Sequence, residues 1–273
     1  MNYENSNRRV LIYLALLYKG IWDDIHNHIL ARLPVTDKDL EGLESKYKCK
    51  VVTILDDEYP HALKEIYKPP FVLFYYGDIS LANNMRNCVS IVGSRKANSY
   101  GMKTTLDIAR VLSSDYIIVS GLAKGIDAYA HQGAIETGGK TIAVLGTGIE
   151  RCYPAENLEL YLKIKENHLL MSEYPNDDCN YNDAFPMRNR IIAGLSCTTI
   201  VTQAKIRSGT SITVFHALNT GRLVCAVPYE MYEDSFCNLL ISEGAYMVIN
   251  PDDILEEINF HFGPKEDLKN VKE

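Results

Sequence analysis

The chain has 273 residues, 47% of them hydrophobic and 23% charged, so it can bury a core without metals or disulfides. A formal net charge of −7 argues against a protein that coats nucleic acid by bulk attraction, and any nucleic-acid role must rest on a local basic pocket. Seven scattered cysteines (Cys49, Cys88, Cys152, Cys179, Cys197, Cys225 and Cys237) include no C-x-x-C pair, which speaks against a zinc site.

In chain order, residues 1–68 read as helical and irregular. VLIYLALLYK repeats apolar residues at helical spacing, and WDDIHNHILARL does the same through Trp22, Ile25, Ile29, Leu30 and Leu33 until Pro34 stops it. The first apolar run covers about eight residues, too short to span a bilayer, and lacks a signal-peptide cleavage site, so a cytoplasmic protein is expected. VTDKDLEGLESKY predicts another short helix, capped by Thr36 or Asp37. Helices this short bury little alone, so the segment is expected to pack on the remainder. Pro69 and Pro70 punctuate the chain, and FVLFYYG predicts an edge strand.

From residue 86 apolar β-type runs alternate with helical segments. The runs are CVSIVG, YIIVSG, TIAVLG, HLLMSE, TTIVTQ, LVCAVP and YMVIN. Continuously apolar strands indicate burial on both faces, so the alternation predicts an α/β fold with a doubly wound, mostly parallel sheet over 69–262. The polar stretch 263–273 reads as a frayed tail.

In such a sheet ligands bind at the carboxyl ends of the strands. Three strand-end loops and one helix start carry anion-friendly groups. Gly93, Ser94, Arg95 and Lys96 form the first, with Ser99 placed to cap the next helix. Ser120, Gly121, Ala123, Lys124 and Gly125 form the second, where helix amides and Lys124 would hold another phosphate; Asp127 suits that helix start, and His131 reads as a packed histidine. In FPMRNRIIAGLS, Phe185 offers a stacking face, Asn189 offers hydrogen bonds to a base or to backbone, and Arg188 and Arg190 point in different directions, one toward ligand and one into the fold. Ser208, Gly209 and Ser211 make a fourth nest, with charge from Lys205 and Arg207. Gly146, Thr147 and Gly148 follow a further strand as a weaker signal. The G-x-G-x-x-G and P-loop fingerprints are missing, as is any persuasive catalytic triad, so neither cofactor, metal nor catalytic residue is expected.

The segments YPHALKEIYKPPFVLFYYG, SIVGSRKANSYG, VSGLAKGIDAYAHQGA, VLGTGIERCYPAEN, SEYP, FPMRNRIIAGLS and SGTSIT together resemble the DNA processing protein A (DprA/Smf) family. The resemblance implies an extended Rossmann-like fold behind a small helical (SAM or helix-hairpin-helix-like) domain. It implies single-stranded DNA binding, homodimerisation and loading of RecA recombinase in natural transformation. The family's motifs fall on Gly93, Ser94 and Arg95; on Ser120, Gly121, Ala123, Gly125 and Asp127; and on Phe185, Arg188, Asn189 and Arg190. Departures are Gln203 where the family usually has Glu, Tyr229 in place of Gly after Pro228, and a missing Gly and Thr before Asn238. Two rival readings remain: a phosphoribohydrolase-like nucleotide-processing enzyme with Asp127 and Glu173 as its acids, and a mononucleotide sensor.

Overall fold

The computed structural model describes residues 3–176 and 181–264. Cys179 and most of the expected tail lie outside the described residues.

Among the described residues nine strands form one sheet: β1 (Lys50–Thr53), β2 (Val72–Gly77), β3 (Cys88–Gly93), β4 (Ile117–Ser120), β5 (Thr141–Leu145), β6 (Leu169–Ser172), β7 (Thr198–Gln203), β8 (Leu223–Ala226) and β9 (Tyr246–Met247). Their order is β1-β2-β6-β5-β4-β3-β7-β8-β9. β1 and β2 are antiparallel additions, and every pairing from β6 to β9 is parallel. This is the expected doubly wound α/β sheet. β2 is not the edge, because β1 pairs with its free side. That strand lies inside 1–68, so the sheet crosses the boundary expected at residue 68.

The helices are α1 (Tyr3–Leu17), α2 (Trp22–Leu30), α3 (Ser99–Leu112), α4 (Ile126–Glu136), α5 (Leu158–Asn167), α6 (Tyr181–Leu195), α7 (Thr210–Asn219), α8 (Phe236–Ser242) and α9 (Pro251–Phe262). Parallel strands need covered faces, and alternate strand residues divide accordingly. On one face Leu73, Val144 and Met171 pack with Ile191, Ile192 and Val214 of α6 and α7. On the other, Val89, Ile91 and Ile118 pack with α3, α4 and α9, while Phe74, Ala143 and Leu170 pack with Leu11, Leu14 and Ile25 of α1 and α2. The N-terminal helices thus share a core with the sheet. The helix expected in 35–47 is instead a series of turns ending in the short 3-10 helix Leu43–Lys46. There Asp39 accepts from the Thr36 amide at 2.8 Å and hydroxyl at 2.6 Å, closing a local turn that competes with a helix.

β3 runs by way of α3 to β4 on one side, whereas β7 pairs on its other side. The strand order therefore reverses between β3 and β7, and a crevice opens above their carboxyl ends. The chain reaches β7 from β6 through α6, which lies across β5, β4 and β3. That path carries α6 side chains to the ends of strands distant in sequence.

Candidate functional site

A trough of about 560 Å³ occupies the crevice. Its walls include Gly93, Ser94, Arg95 and Lys96 after β3, Phe185, Arg188 and Asn189 of α6, and Lys205, Arg207, Ser208 and Gly209 after β7.

The β3 loop is held from both sides. A Cβ on Gly93 would sit 2.5 Å from the Gln203 carbonyl oxygen, so only glycine lets the strands close there. The Ser94 amide donates to that carbonyl at 2.6 Å, and the Ser94 hydroxyl accepts from the Lys96 amide at 3.0 Å. The cap of α3 is Asn98, not Ser99: its side chain accepts from the Gly101 amide at 2.8 Å. Gln203 Oε1 accepts from the Asn98 amide at 2.9 Å, a role that needs only a carbonyl-type acceptor. Arg95 and Lys96 are thereby presented on a braced loop, exposed to solvent.

The second loop differs from expectation. Two of its amides are already taken, because Asp127 folds back to accept from Gly121 at 3.2 Å and Ala123 at 3.4 Å. The leading amide of α4 donates to the Ser94 carbonyl at 3.1 Å. Ser120 is buried and donates to the Ile91 carbonyl at 2.7 Å. Gly125 has φ of +72° and backs onto the Ser94 carbonyl, so a side chain there would force the two loops apart. Lys124 reaches Glu156 at 2.6 Å in an exposed pair beside a side pocket of about 50 Å³, which Arg95, Gly121, Ala123, Tyr153 and Phe185 also line.

The two arginines of α6 do separate, and both are buried. Arg190 turns away from the trough: it meets Glu173 at 2.8 Å and donates to the carbonyls of Lys68 at 2.9 Å and Met187 at 2.8 Å. Its expected place among ligand contacts is therefore corrected to an anchor for the fold. Arg188 points to the trough. Nη1 donates to the carbonyls of Gly121, at 2.6 Å, and Val144, and Nε donates to Asn189 Oδ1 at 3.1 Å. Nη2 has no hydrogen-bond acceptor among the described residues. Burial draws the Arg188 guanidinium down to about 10, opposed by Asp127 and assisted by Arg95, so it stays charged at neutral pH. Burial likewise raises the Asp127 carboxyl against the pull of Arg188. A side chain on Gly121 would collide with this guanidinium.

Asn189 bridges Arg188 to the β7 loop, since its Nδ2 donates to the Gly209 carbonyl at 3.3 Å. Phe185 is half-buried. The Arg95 guanidinium lies 5.3 Å from its ring centre, and Tyr153 packs 5.5 Å from it. The ring surface expected to take a base thus carries Arg95. Ser208 contributes a buried hydroxyl with no partner at the start of α7. None of Arg95, Lys96, Lys205 and Arg207 is ion-paired among the described residues. The structure thus gathers the β3 loop, Phe185, Arg188, Asn189 and the β7 loop at one site, and leaves Ser120 and Arg190 in the core.

Tyr153 and the apolar floor of Ile192 and Ile212 were not legible as site residues. The floor looks like any amphipathic helix face, and the only hint for Tyr153 is its place in a strand-end loop. The acid pair of the rival hydrolase reading is not assembled: Glu173 is closed against Arg190 beneath α6 and does not line the trough. His131 is fully buried; Thr141 donates to the Ile118 carbonyl at 2.6 Å and so accepts from His131 Nδ1, at 2.6 Å. Among the described residues no helix is long and apolar enough to cross a membrane.

Residues 50–259 match the family model of the DNA recombination-mediator protein A. The chain is 44% identical over 210 residues to DNA processing protein DprA of Streptococcus pneumoniae, covering 76% of this chain and 74% of that one. It is 40% identical over 211 residues to the Bacillus subtilis DNA processing protein DprA, covering 76% and 70%. The X-ray structure of the Streptococcus pneumoniae protein aligns with a TM-score of 0.76 at 40% identity, over 86% of this chain and 81% of that one. DNA processing protein A from Helicobacter pylori, a structure describing a single-stranded DNA binding mode, aligns with a TM-score of 0.71 at 26% identity, over 79% and 97%.

Proposed function

The chain belongs to the DNA recombination-mediator protein A family, that of the DprA and Smf proteins, and on this premise we propose that it binds single-stranded DNA in the trough between β3 and β7. A role in DNA processing is supported by its relatives, and the single-stranded substrate by the Helicobacter pylori structure. One observation carries the reading: Arg95, Lys96, Lys205 and Arg207 line one trough unpaired, with the free Nη2 of Arg188 behind them. Cations gathered in one concave trough with no internal ion pair are available to a ligand's phosphates. The chain as a whole is acidic, so attraction is confined to this strip and bulk coating is discouraged.

The protein performs no covalent chemistry in this reading. It holds the strand in the cytoplasm and loads RecA recombinase onto it, acting as a homodimer that doubles the contacts. Met247, Ile249 and Phe260, exposed apolar residues of the last strand–helix unit, support a second copy packing there. Gel shifts of wild type and Arg95→Ala on single- and double-stranded oligonucleotides test the binding claim. Wild type is expected to shift the single strand preferentially and the variant to lose most of that shift; equal retardation of both forms, unchanged by the substitution, refutes it.

A further inference from the structure

We propose that the loop 229–235 closes one end of the trough with fixed negative charge, so that a bound strand leaves over the opposite end, past Lys124 and Tyr153. The proposal rests on the single-strand reading above and adds a path to it. A cavity of about 240 Å³ shares Ser94, Lys96 and Lys205 with the trough, and its far wall is Tyr229, Glu233, Asp234 and Ser235. Neither carboxylate is ion-paired with Lys96 or Lys205. The cations therefore stay available to phosphate, while any phosphate continuing past them meets Glu233 and Asp234.

The loop is braced. Asn238 accepts from the Tyr229 amide at 2.9 Å and donates to the carbonyls of Tyr229 at 3.1 Å and Glu230 at 3.2 Å. The Tyr229 hydroxyl donates to the Thr202 carbonyl at 2.9 Å, and the Phe236 amide to the Ala204 carbonyl at 2.8 Å. These bonds hold the carboxylates beside the exit of β7. At the other end the nearby carboxylate, Glu156, is neutralised by Lys124 at 2.6 Å, so no repulsion blocks that exit.

Fluorescence anisotropy on oligo-dT of about 4 and about 20 nucleotides, sizes spanning trough-filling to overhanging strands, tests this path. Glu233→Lys/Asp234→Lys is expected to tighten binding of the long strand about tenfold more than the short one. Glu233→Gln/Asp234→Asn should give a smaller gain of the same kind. The charge change Asp115→Asn/Glu166→Gln, at the amino ends of β4 and β6, should produce no such length dependence. Equal gains at both lengths, no gain, or the same gain from the distant pair overturns the path. A wild type that binds neither oligonucleotide refutes the single-strand reading itself, whereas wild-type binding with inert loop variants refutes the path alone.

Discussion

Arg188 and Arg95 divide one task between a buried and an exposed guanidinium. Arg188 is fixed by the carbonyls of Gly121 and Val144 and by Asn189, which leaves one nitrogen for the trough. Arg188→Ala strips donors from two buried carbonyls and removes the largest favourable charge beside buried Asp127, so it should cost about 3–5 kcal/mol of stability in urea unfolding. Arg95 is exposed and rests on Phe185. Arg95→Ala should leave stability within about 0.5 kcal/mol of wild type yet weaken oligonucleotide binding and reduce the salt slope by about 0.7. Gly121→Ala should unseat Arg188 and weaken binding; normal affinity would show that the guanidinium is not placed by that contact. His131 gives a pH signature. Burial holds its pKa down to about 3, while the unfolded ring titrates near 6.5. The unfolded state therefore binds more protons between these values. Its contribution is complete above about pH 6.5 and falls by up to ~1.4 kcal/mol per unit below it. Urea titrations at pH 7 and 5 should show this loss in wild type and a smaller one in His131→Gln.

At the scale of elements, the crossing of α6 under the strand ends brings Arg188 and Asn189 to loops far away in sequence. The parallel strands were readable because burial on both faces makes them continuously apolar, and the strand-end loops followed from that reading. β1 was not readable: KVVT is four residues long and sits in a segment otherwise patterned for helices. In the second loop the residue types of an anion nest are legible, but not that Asp127 and the Ser94 carbonyl occupy the amides of Gly121, Ala123 and Ile126. Nor does the spacing of Arg188 and Arg190 tell which is locked away. That depends on Glu173 and the Lys68 carbonyl, neither adjacent in sequence. Arg190→Met should break the α6 anchor and leave Glu173 unpaired, a loss of about 3–5 kcal/mol that Glu173→Gln/Arg190→Met partly recovers in thermal or urea unfolding.

For the whole molecule, an acidic chain with a basic trough implies attraction that is strong locally and screened quickly. Affinity for a single strand should therefore be electrostatic in origin, not a consequence of net charge. The decisive measurement is the oligo-dT dissociation constant of wild type across a series of salt concentrations. With about four phosphates neutralised, log K should fall against log salt with a slope near −3, and Lys205→Ala/Arg207→Ala should flatten it by roughly 1.4. Affinity that does not respond to salt, or a slope the double variant leaves unchanged, would contradict the account.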